Sequence, residues 1–287
     1  MGIEGIGNAG SARRRRSGFT LVELFVVIAI IAVLMSVLMP ALQKARLQAT
    51  GAVCLGNHHT LALAYLLYSE DNDGRLVGAH TGTTGGWVGW PMSEDGTVLI
   101  RGSSQPDGSG GDFATLEDRL RGLRAGKLYP YIETTDVFHC PGDRRIMDGT
   151  YVGSTLVHRL YRTYSIQLGL NYQENSLTRM SEIDNPGATY AFVEEYYDGW
   201  VYNVNGGFIL NPIDRGGYWW STIAIWHGDV GTLGFVDGHA EKKKWVDERT
   251  LDLEYCRTAE GYRQPDNPDL RYMFMGYAIK GDQSWMQ

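Results

Sequence analysis

The residues with the clearest chemical potential lie near the C-terminus, where His227 is followed after nine residues by Asp237-Gly238. A histidine and a carboxylate act as an acid–base pair only within hydrogen-bond reach of each other. If two strands flank a turn at residues 229–230, five strand residues separate His227 from Asp237, roughly 16 Å along the sheet. We therefore predict a structural role, in which His227 bonds a loop and Gly238 supplies turn geometry.

A second pattern is Cys54, His58 and His59. Residues four apart share one face of a helix, and both cysteine and histidine ligate zinc. Such side chains more often pack in a core than bind an ion, so we predict packing and no metal here.

The sequence contains no motif of a known enzyme class. Gly5, Gly7 and Gly10 match the spacing of a dinucleotide-binding loop, but no strand precedes them. Neither a GxSxG nor an HExxH motif occurs. We expect a protein that is not an enzyme.

The charge is distributed unevenly along the 287 residues. The net charge of −7 is unfavourable for binding a phosphate backbone, so we expect no nucleic-acid partner. Residues 1–18 carry Arg13–Arg16 against Glu4, a local charge of +3, and the remainder carries −10. A basic leader on an acidic body indicates a chain sorted across a membrane.

An apolar run of 21 residues follows this leader, from Phe19 to Met39, with Glu23 as its only ionisable group. A helix of this length covers about 30 Å, the thickness of a hydrocarbon core. The positive-inside rule places residues 1–18 in the cytoplasm and everything after Met39 outside. A secretory signal peptide fits less well, because the run is long and no small-x-small cleavage site follows. A twin-arginine export signal remains an alternative.

Glu23 stands out because a carboxylate within hydrocarbon requires a partner. An intramembrane acid is a functional hypothesis by default. The alternative is that Glu23, four residues into the span, stays hydrated at the interface.

The segment from Ser17 to Leu24, SGFTLVEL, resembles the GFTLVE processing site of type IV prepilins and type II secretion pseudopilins. The resemblance implies that a prepilin peptidase cuts between Gly18 and Phe19 and methylates the new amine. It further implies that Glu23 neutralises the Phe19 amine of a neighbouring subunit, and that Pro40 is the proline that kinks or flexes the pilin helix.

This resemblance implies a structural subunit of a type II secretion or type IV pilus-like filament. Its partners would be the prepilin peptidase, other pilin or pseudopilin subunits and an inner-membrane assembly platform. The chain would cross the bacterial inner membrane once, with a periplasmic head, before joining a periplasmic or surface filament. The alternative function is a membrane-anchored module that binds glycans or proteins. Five tryptophans that flank glycine-rich segments are expected to be core or loop anchors, but any that are exposed could stack on sugars or a partner protein: Trp87, Trp90, Trp200, Trp219 and Trp220.

A helical pattern continues beyond Pro40, with small residues recurring on one face at Ala45, Ala49, Ala52 and Gly56. Helix breakers follow at 71–74. We predict a leader (1–18), a membrane-spanning half-helix (19–39), a periplasmic half-helix (40–70) and a head (71–287).

The head is expected to be β-rich, which gives an α+β, pilin-like class: a long N-terminal helix followed by an antiparallel-sheet head. Asp237-Gly238 predicts a two-residue hairpin turn, and a helix is expected over 116–123. Glycine, serine and threonine between 80 and 112 predict surface loops. The expected strands are Val98–Ile100, Val137–Cys140, Thr189–Glu194, Gly207–Leu210, Thr222–Trp226, Thr232–Val236 and His239–Trp245, the last three forming a meander.

His227 with Asp237-Gly238 resembles the signature of the prepilin-type, processing-associated H-X9-DG domain of pseudopilin-like proteins, here at 227–238. Three further segments, Cys54–Asn57, Asp71–Gly74 and Phe138–Pro141, resemble other landmarks of that family. The resemblance does not account for the insertion at 80–112.

Two further expectations concern the head. Related pseudopilins bind calcium in C-terminal loops, which makes Asp229, Asp237 and Glu241 candidate ligands; we otherwise expect no cofactor. In an oxidising periplasm Cys140 and Cys256 could form a disulfide and leave Cys54 free.

Overall fold

The computed structural model describes residues 20–82, 85–99, 115–143, 151–152, 155–156, 162–172, 176–196, 207–211, 218–253, 263–278 and 280. Contacts divide the chain into two units, Met1–Ala45 and Arg46–Gln287. The leader, including Gly18 and Phe19, lies outside the described residues.

A helix of 51 residues, α1, runs from Leu21 to Asp71. It ends where the backbone turns left-handed at Asp73 (φ 55°) and Gly74 (φ 75°). The Gly74 N–H donates to the carbonyl of Ser69 at 2.7 Å, which satisfies one of the last carbonyls of the helix. The predicted helix and its breaker segment are confirmed.

The second unit contains short helices and strands. The other helices are α2 (Leu116–Arg124), α3 (Tyr129–Ile132), α4 (Glu248–Leu251) and α5 (Pro268–Met275), with 3₁₀ turns at Asp136–Phe138 and Met180–Glu182. The strands are β1 (Gly78–Thr81), β2 (Gly86–Val88), β3 (Tyr151–Val152), β4 (Thr155–Leu156), β5 (Tyr164–Gln167), β6 (Tyr190–Tyr196), β7 (Gly207–Phe208), β8 (Leu210–Asn211), β9 (Tyr218–Trp219), β10 (Thr222–Ile223), β11 (Val230–Phe235) and β12 (Ala240–Lys244).

The main sheet has the strand order β12-β11-β6-β5-β7, and β10 also pairs with β6. Its pairs are antiparallel except β5 with β7, so the sheet is mixed. The α+β class is confirmed, but the described strands include two parallel pairs that the sequence did not predict, β5 with β7 in the main sheet and β1 with β2 in a separate two-stranded sheet.

Strand β6 is the centre of the head because both of its faces are covered. Phe192 belongs to a hydrophobic cluster with Tyr65 of α1, and the two rings lie 5.9 Å apart. The next residue, Val193, belongs to a second cluster with Leu270 of α5. Successive side chains of a strand point to opposite faces, which explains why β6 is almost continuously buried.

Helix α1 approaches β11 closely at Gly234. A Cβ built at Gly234 would lie 2.8 Å from the carbonyl oxygen of His58, closer than real Cβ atoms come. The absence of a side chain at this position lets the helix backbone pack directly on the strand.

Two predictions about the C-terminal strands are wrong in detail. The expected meander is incomplete, because β10 pairs with β6 at Tyr196 and Glu195 rather than with β11. The β11–β12 hairpin does form. Its loop is closed by the Phe235 N–H, which donates to the His239 carbonyl, and by the Gly238 N–H, which donates to the Phe235 carbonyl. This is a three-residue loop with left-handed Gly238 (φ 96°), in place of a two-residue turn.

The other elements agree unevenly with the predictions. The strand at Thr189–Glu194, the strand region at Gly207–Leu210 and the helix at 116–123 are confirmed. Residues expected as the strand Val137–Cys140 instead form the 3₁₀ turn at Asp136–Phe138. Val98 forms only an isolated bridge with Met92, and Ile100 lies outside the described residues.

Candidate functional site

The first half of α1 is an apolar surface. Every residue from Thr20 to Ala49 is exposed, and Glu23 is the only ionisable residue before Lys44. Within the described residues, α1 is the one helix long and apolar enough to cross a membrane. An apolar surface this long, when it is exposed in an isolated chain, is normally covered by lipid or by another protein. They include Leu21, Leu24, Phe25, Ile28, Ile31, Leu34, Met35 and Leu38.

Glu23 closes the start of this helix. Its Oε2 accepts hydrogen bonds from the Thr20 backbone N–H at 2.9 Å and from the Thr20 hydroxyl at 2.6 Å. The Glu23 N–H in turn donates to the Thr20 hydroxyl oxygen at 3.2 Å. These reciprocal bonds are the geometry of a capping box. Glu23 therefore has a local bonding role that the sequence analysis did not anticipate.

Pro40 lies inside α1, which continues on both sides of it. A proline has no N–H to donate, so the carbonyl of Ser36 loses its partner four residues on. The Ser36 hydroxyl donates to the Val33 carbonyl at 2.7 Å one turn earlier. Pro40 thus weakens the helix locally without ending it.

The second half of α1 has two different faces. Ala49, Ala52 and Gly56 are exposed, and nothing lies within 4 Å of a Cβ built at Gly56. The opposite face is buried in the head through Cys54, His58, Leu61, Ala62, Tyr65 and Ser69, among others. The small residues singled out in the sequence therefore remain available to another helix.

Two of the landmark segments, Cys54–Asn57 and Phe138–Pro141, meet in the structure. The Cys54 and Cys140 sulfur atoms lie 2.8 Å apart, and both cysteines are free thiols. The Asn57 amide donates to the His139 carbonyl at 3.1 Å. Cys140 thus contacts Cys54. Cys256, the predicted disulfide partner of Cys140, lies outside the described residues.

His227 and Glu194 complete a buried cluster with the two cysteines. Glu194 is on β6, and His227 lies between β10 and β11. His227 Nε2 is 2.9 Å from Glu194 Oε1 and 3.3 Å from Cys140 Sγ. The ligand atoms of Cys54, Cys140, Glu194 and His227 all lie within 4.8 Å of one another.

Hydrogen bonds within this cluster shift its protonation. Burial disfavours a charged His227, but its bonds to Cys140 and Glu194 outweigh that effect and raise the pKa of His227 to about 10. Burial also disfavours the Cys140 thiolate, yet bonds from Cys54 and His227 hold the pKa of Cys140 below its usual value. The bond to Cys140, reinforced by burial, raises the pKa of the Cys54 thiol.

The structure does not bring the candidate calcium ligands together. Asp229 pairs with Lys244 at 3.1 Å, and Asp237 pairs with His239 at 2.6 Å. Glu241 accepts a hydrogen bond from the Tyr272 hydroxyl. In the described part of the chain, the group with metal-ligand geometry is the cysteine–glutamate–histidine cluster, which excludes all three carboxylates.

The H-X9-DG residues take separate positions. His227 bonds Glu194 in the interior, whereas Asp237 bonds His239 at the surface. Gly238 forms the left-handed position of the β11–β12 loop, and a Cβ built there would lie 3.0 Å from Leu63 Cδ2 of α1. His227 was predicted to bond a loop, but it also bonds Glu194 of β6 and Thr50 of α1. Gly238 does supply turn geometry, in a three-residue loop.

The tryptophan residues divide between core and surface. Trp87 and Trp219 are fully buried, so neither offers a face to a sugar. Trp220 is exposed, Trp90 is half-buried, and Trp200 lies outside the described residues.

His58 gives the head a dependence on pH. Burial lowers the pKa of His58 to about 4, against about 6.5 in the unfolded chain. The unfolded chain therefore binds this proton first as pH falls, and the folded state loses stability between about pH 6.5 and 4. We expect wild-type protein to lose about 3 kcal/mol over this window relative to His58→Gln. The measurement is the thermal unfolding midpoint of both proteins at several pH values. If the midpoints of wild type and His58→Gln fall equally with pH across this range, His58 is not the group responsible.

The exposed apolar helix at the N-terminus is consistent with membrane anchoring. Residues 13–39 match the prokaryotic N-terminal methylation motif. The motif supports a type IV pilin- or pseudopilin-like protein, with processing by a prepilin peptidase and assembly with other pilins as its implications. No curated protein and no solved structure matches the chain.

Proposed function

We propose that this protein is a pilin-like structural subunit, cut between Gly18 and Phe19 and assembled through α1 into a filament. The observation that carries the proposal is the exposed apolar half of α1, most of which lies within the methylation motif matched at 13–39. Lipid covers this surface in the precursor, and neighbouring subunits cover it in the polymer.

Glu23 would set the register between subunits. Cleavage creates a cation at Phe19, and a carboxylate in a dry helix bundle is tolerated only beside a compensating charge. Before assembly the Glu23 carboxylate is bonded to Thr20 of its own chain. Assembly would exchange or supplement these bonds with the Phe19 amine of a neighbour.

The exposed small residues of α1 would form a second contact between neighbouring subunits, in addition to the one at Glu23. Ala49, Ala52 and Gly56 lie on the face of α1 opposite the head. Small side chains let helix backbones approach closely. The same helix can therefore hold its own head and contact another subunit at once.

The proposal includes an orientation and a place in the cell. The arginines before the span keep the leader cytoplasmic and place the head in the periplasm. The proposed filament is that of a type II secretion system or a type IV pilus-like assembly. The H-X9-DG resemblance at 227–238, which is to pseudopilin-like proteins, agrees with this proposal.

Gly18→Arg should block maturation, because a long side chain at the cut site prevents close approach of the peptidase to the backbone. We expect the purified variant to retain the leader, whereas wild-type protein begins at N-methylated Phe19. Intact-mass and N-terminal peptide mass spectrometry measure both. Gly10→Arg is the matched control, since it makes the same change in the leader outside the matched motif. Normal cleavage of Gly18→Arg would refute the proposed processing site.

A further inference from the structure

The buried cluster between α1 and the head contains four side chains of metal-ligand type. Cys54 and Cys140 are fully buried, Glu194 is 1% exposed and His227 is 6% exposed. They come from four separate parts of the chain: α1, the loop after the 3₁₀ turn, β6 and the segment before β11. Burying a carboxylate and an imidazole beside two thiols is costly unless each has a partner.

The hydrogen bonds of His227 direct one ring nitrogen into the cluster. Its Nδ1 lies 3.0 Å from the Thr50 hydroxyl oxygen. That hydroxyl is itself within 3.1 Å of the Arg46 and Leu47 carbonyls, to which it can donate. Nδ1–H then donates to that hydroxyl, and Nε2 faces Glu194 and Cys140; the proton on Nε2 would leave when a metal binds, which frees its lone pair for the ion. A histidine that ligates a metal is commonly oriented by this kind of bond from its other nitrogen.

The other ligands are supported in the same way. The Thr232 N–H donates to Glu194 Oε2 at 3.2 Å, which leaves Oε1 directed at the cluster. The Gly142 N–H donates to Cys140 Sγ at 3.2 Å. A Cβ at Gly142 would lie 2.9 Å from His227 Cε1, so the close packing around the cluster requires glycine there.

We propose that Cys54, Cys140, Glu194 and His227 bind one zinc ion. Two sulfurs, one imidazole nitrogen and one carboxylate oxygen form a four-ligand set suited to tetrahedral zinc. The separations of 2.8 Å (S···S), 3.3 Å (N···S) and 2.9 Å (N···O) are shorter than the edges of roughly 3.8, 3.6 and 3.3 Å expected at zinc bond lengths, so the four side chains would move apart by up to about 1 Å around the ion. All four positions come from the protein, so the ion is structural and fastens α1 to the sheet.

Two simpler arrangements use only part of the cluster. A disulfide would use Cys54 and Cys140 but would not explain why His227 Nε2 and Glu194 Oε1 point to the same place. A His227–Glu194 ion pair would leave the paired sulfurs unexplained. A zinc ion uses all four groups.

Elemental analysis of the full-length chain tests the proposal. The protein is purified in detergent without chelator from cells supplied with zinc, and we expect about one zinc ion per chain. Replacing zinc with Co²⁺ should produce thiolate-to-cobalt charge-transfer absorption and the visible bands of a tetrahedral site. Both the zinc content and the cobalt absorption are measured on the wild-type protein, so neither depends on whether a variant folds.

Variants assign the ligands. Cys140→Ser and His227→Gln should each lower zinc affinity by at least about tenfold. The matched controls are Cys256→Ser, the third cysteine, and His239→Gln, a surface histidine, both of which should retain the ion. The proposal is overturned if Cys54 and Cys140 resist alkylation until reduced, or if the free-thiol protein holds far less than one zinc ion.

Discussion

Glu23→Ala should remove the protein from filaments while leaving the precursor in the membrane. The substitution eliminates the carboxylate that would compensate the Phe19 amine of a neighbour, and an unpaired charge in a dry bundle is strongly unfavourable. We expect incorporation to fall by on the order of tenfold to a hundredfold. The measurement is the amount of protein in filaments sheared from cells, relative to the amount in membranes.

The capping box supplies matched variants that separate charge from helix capping. Glu23→Gln keeps a side chain that can serve the capping box but has no charge. Thr20→Ala removes the hydroxyl bonds to Glu23, at a cost of about 1 kcal/mol, but keeps the charge. If charge governs assembly, the glutamine variant fails and the Thr20→Ala variant assembles. The reverse pattern would mean that Glu23 acts as a cap alone.

Gly234→Val should prevent the head from folding stably. Even the Cβ of the new side chain would lie 2.8 Å from the His58 carbonyl, and that oxygen belongs to the α1 backbone, which cannot rotate aside. Overpacking of a core typically lowers the free energy of unfolding by about 1–3 kcal/mol. Because the clash here is with backbone, we expect a loss of about 3 kcal/mol or more. The measurement is thermal unfolding, followed by circular dichroism, of the full-length chain in detergent.

Gly56→Ala is the control for this prediction. It lies on the exposed face of α1 with open space around it, so alanine should stabilise the helix by about 1 kcal/mol. Equal unfolding temperatures for Gly234→Val and wild type would show that α1 does not pack on β11 at this position.

The N-terminal helix could be predicted from sequence because its signals are local. An apolar run, a small-residue repeat and breakers at 71–74 each act within a few turns, and they gave helix ends within two residues of those observed. Glu23 was identified for its charge, but its bonds with Thr20 were not foreseen. The Thr20-x-x-Glu23 spacing of a capping box was present in the sequence.

The head was harder to predict because its strand pairs are distant in sequence. Strand β5, which pairs with β6, was missed, and β10 was paired with the wrong neighbour. Periodicity identifies a strand but not its partner, and a buried central strand shows no alternation. The short helix α5 was also missed, although Asn267 before Pro268 is an N-terminal signal.

The buried cluster was predicted only in part. Cys54, Cys140 and His227 were each noted, yet their convergence depends on the tertiary fold. His58 packs as predicted, edge-on against Tyr164 with ring centroids 4.5 Å apart, whereas Cys54, for which packing was also predicted, joins the cluster. Glu194 has no local signal, because it lies within a strand predicted for its apolar residues.

The packing of α1 against the head affects how the molecule would respond to force. Buried residues along the helix, from Gly51 to Ser69, contact the sheet side of the head. A tensile load entering at Arg46 would act along this row in shear, so many side-chain contacts would have to break together. The short connection after Asp71 would carry little of the load. The head should therefore stay attached to α1 until the contacts along this whole row break.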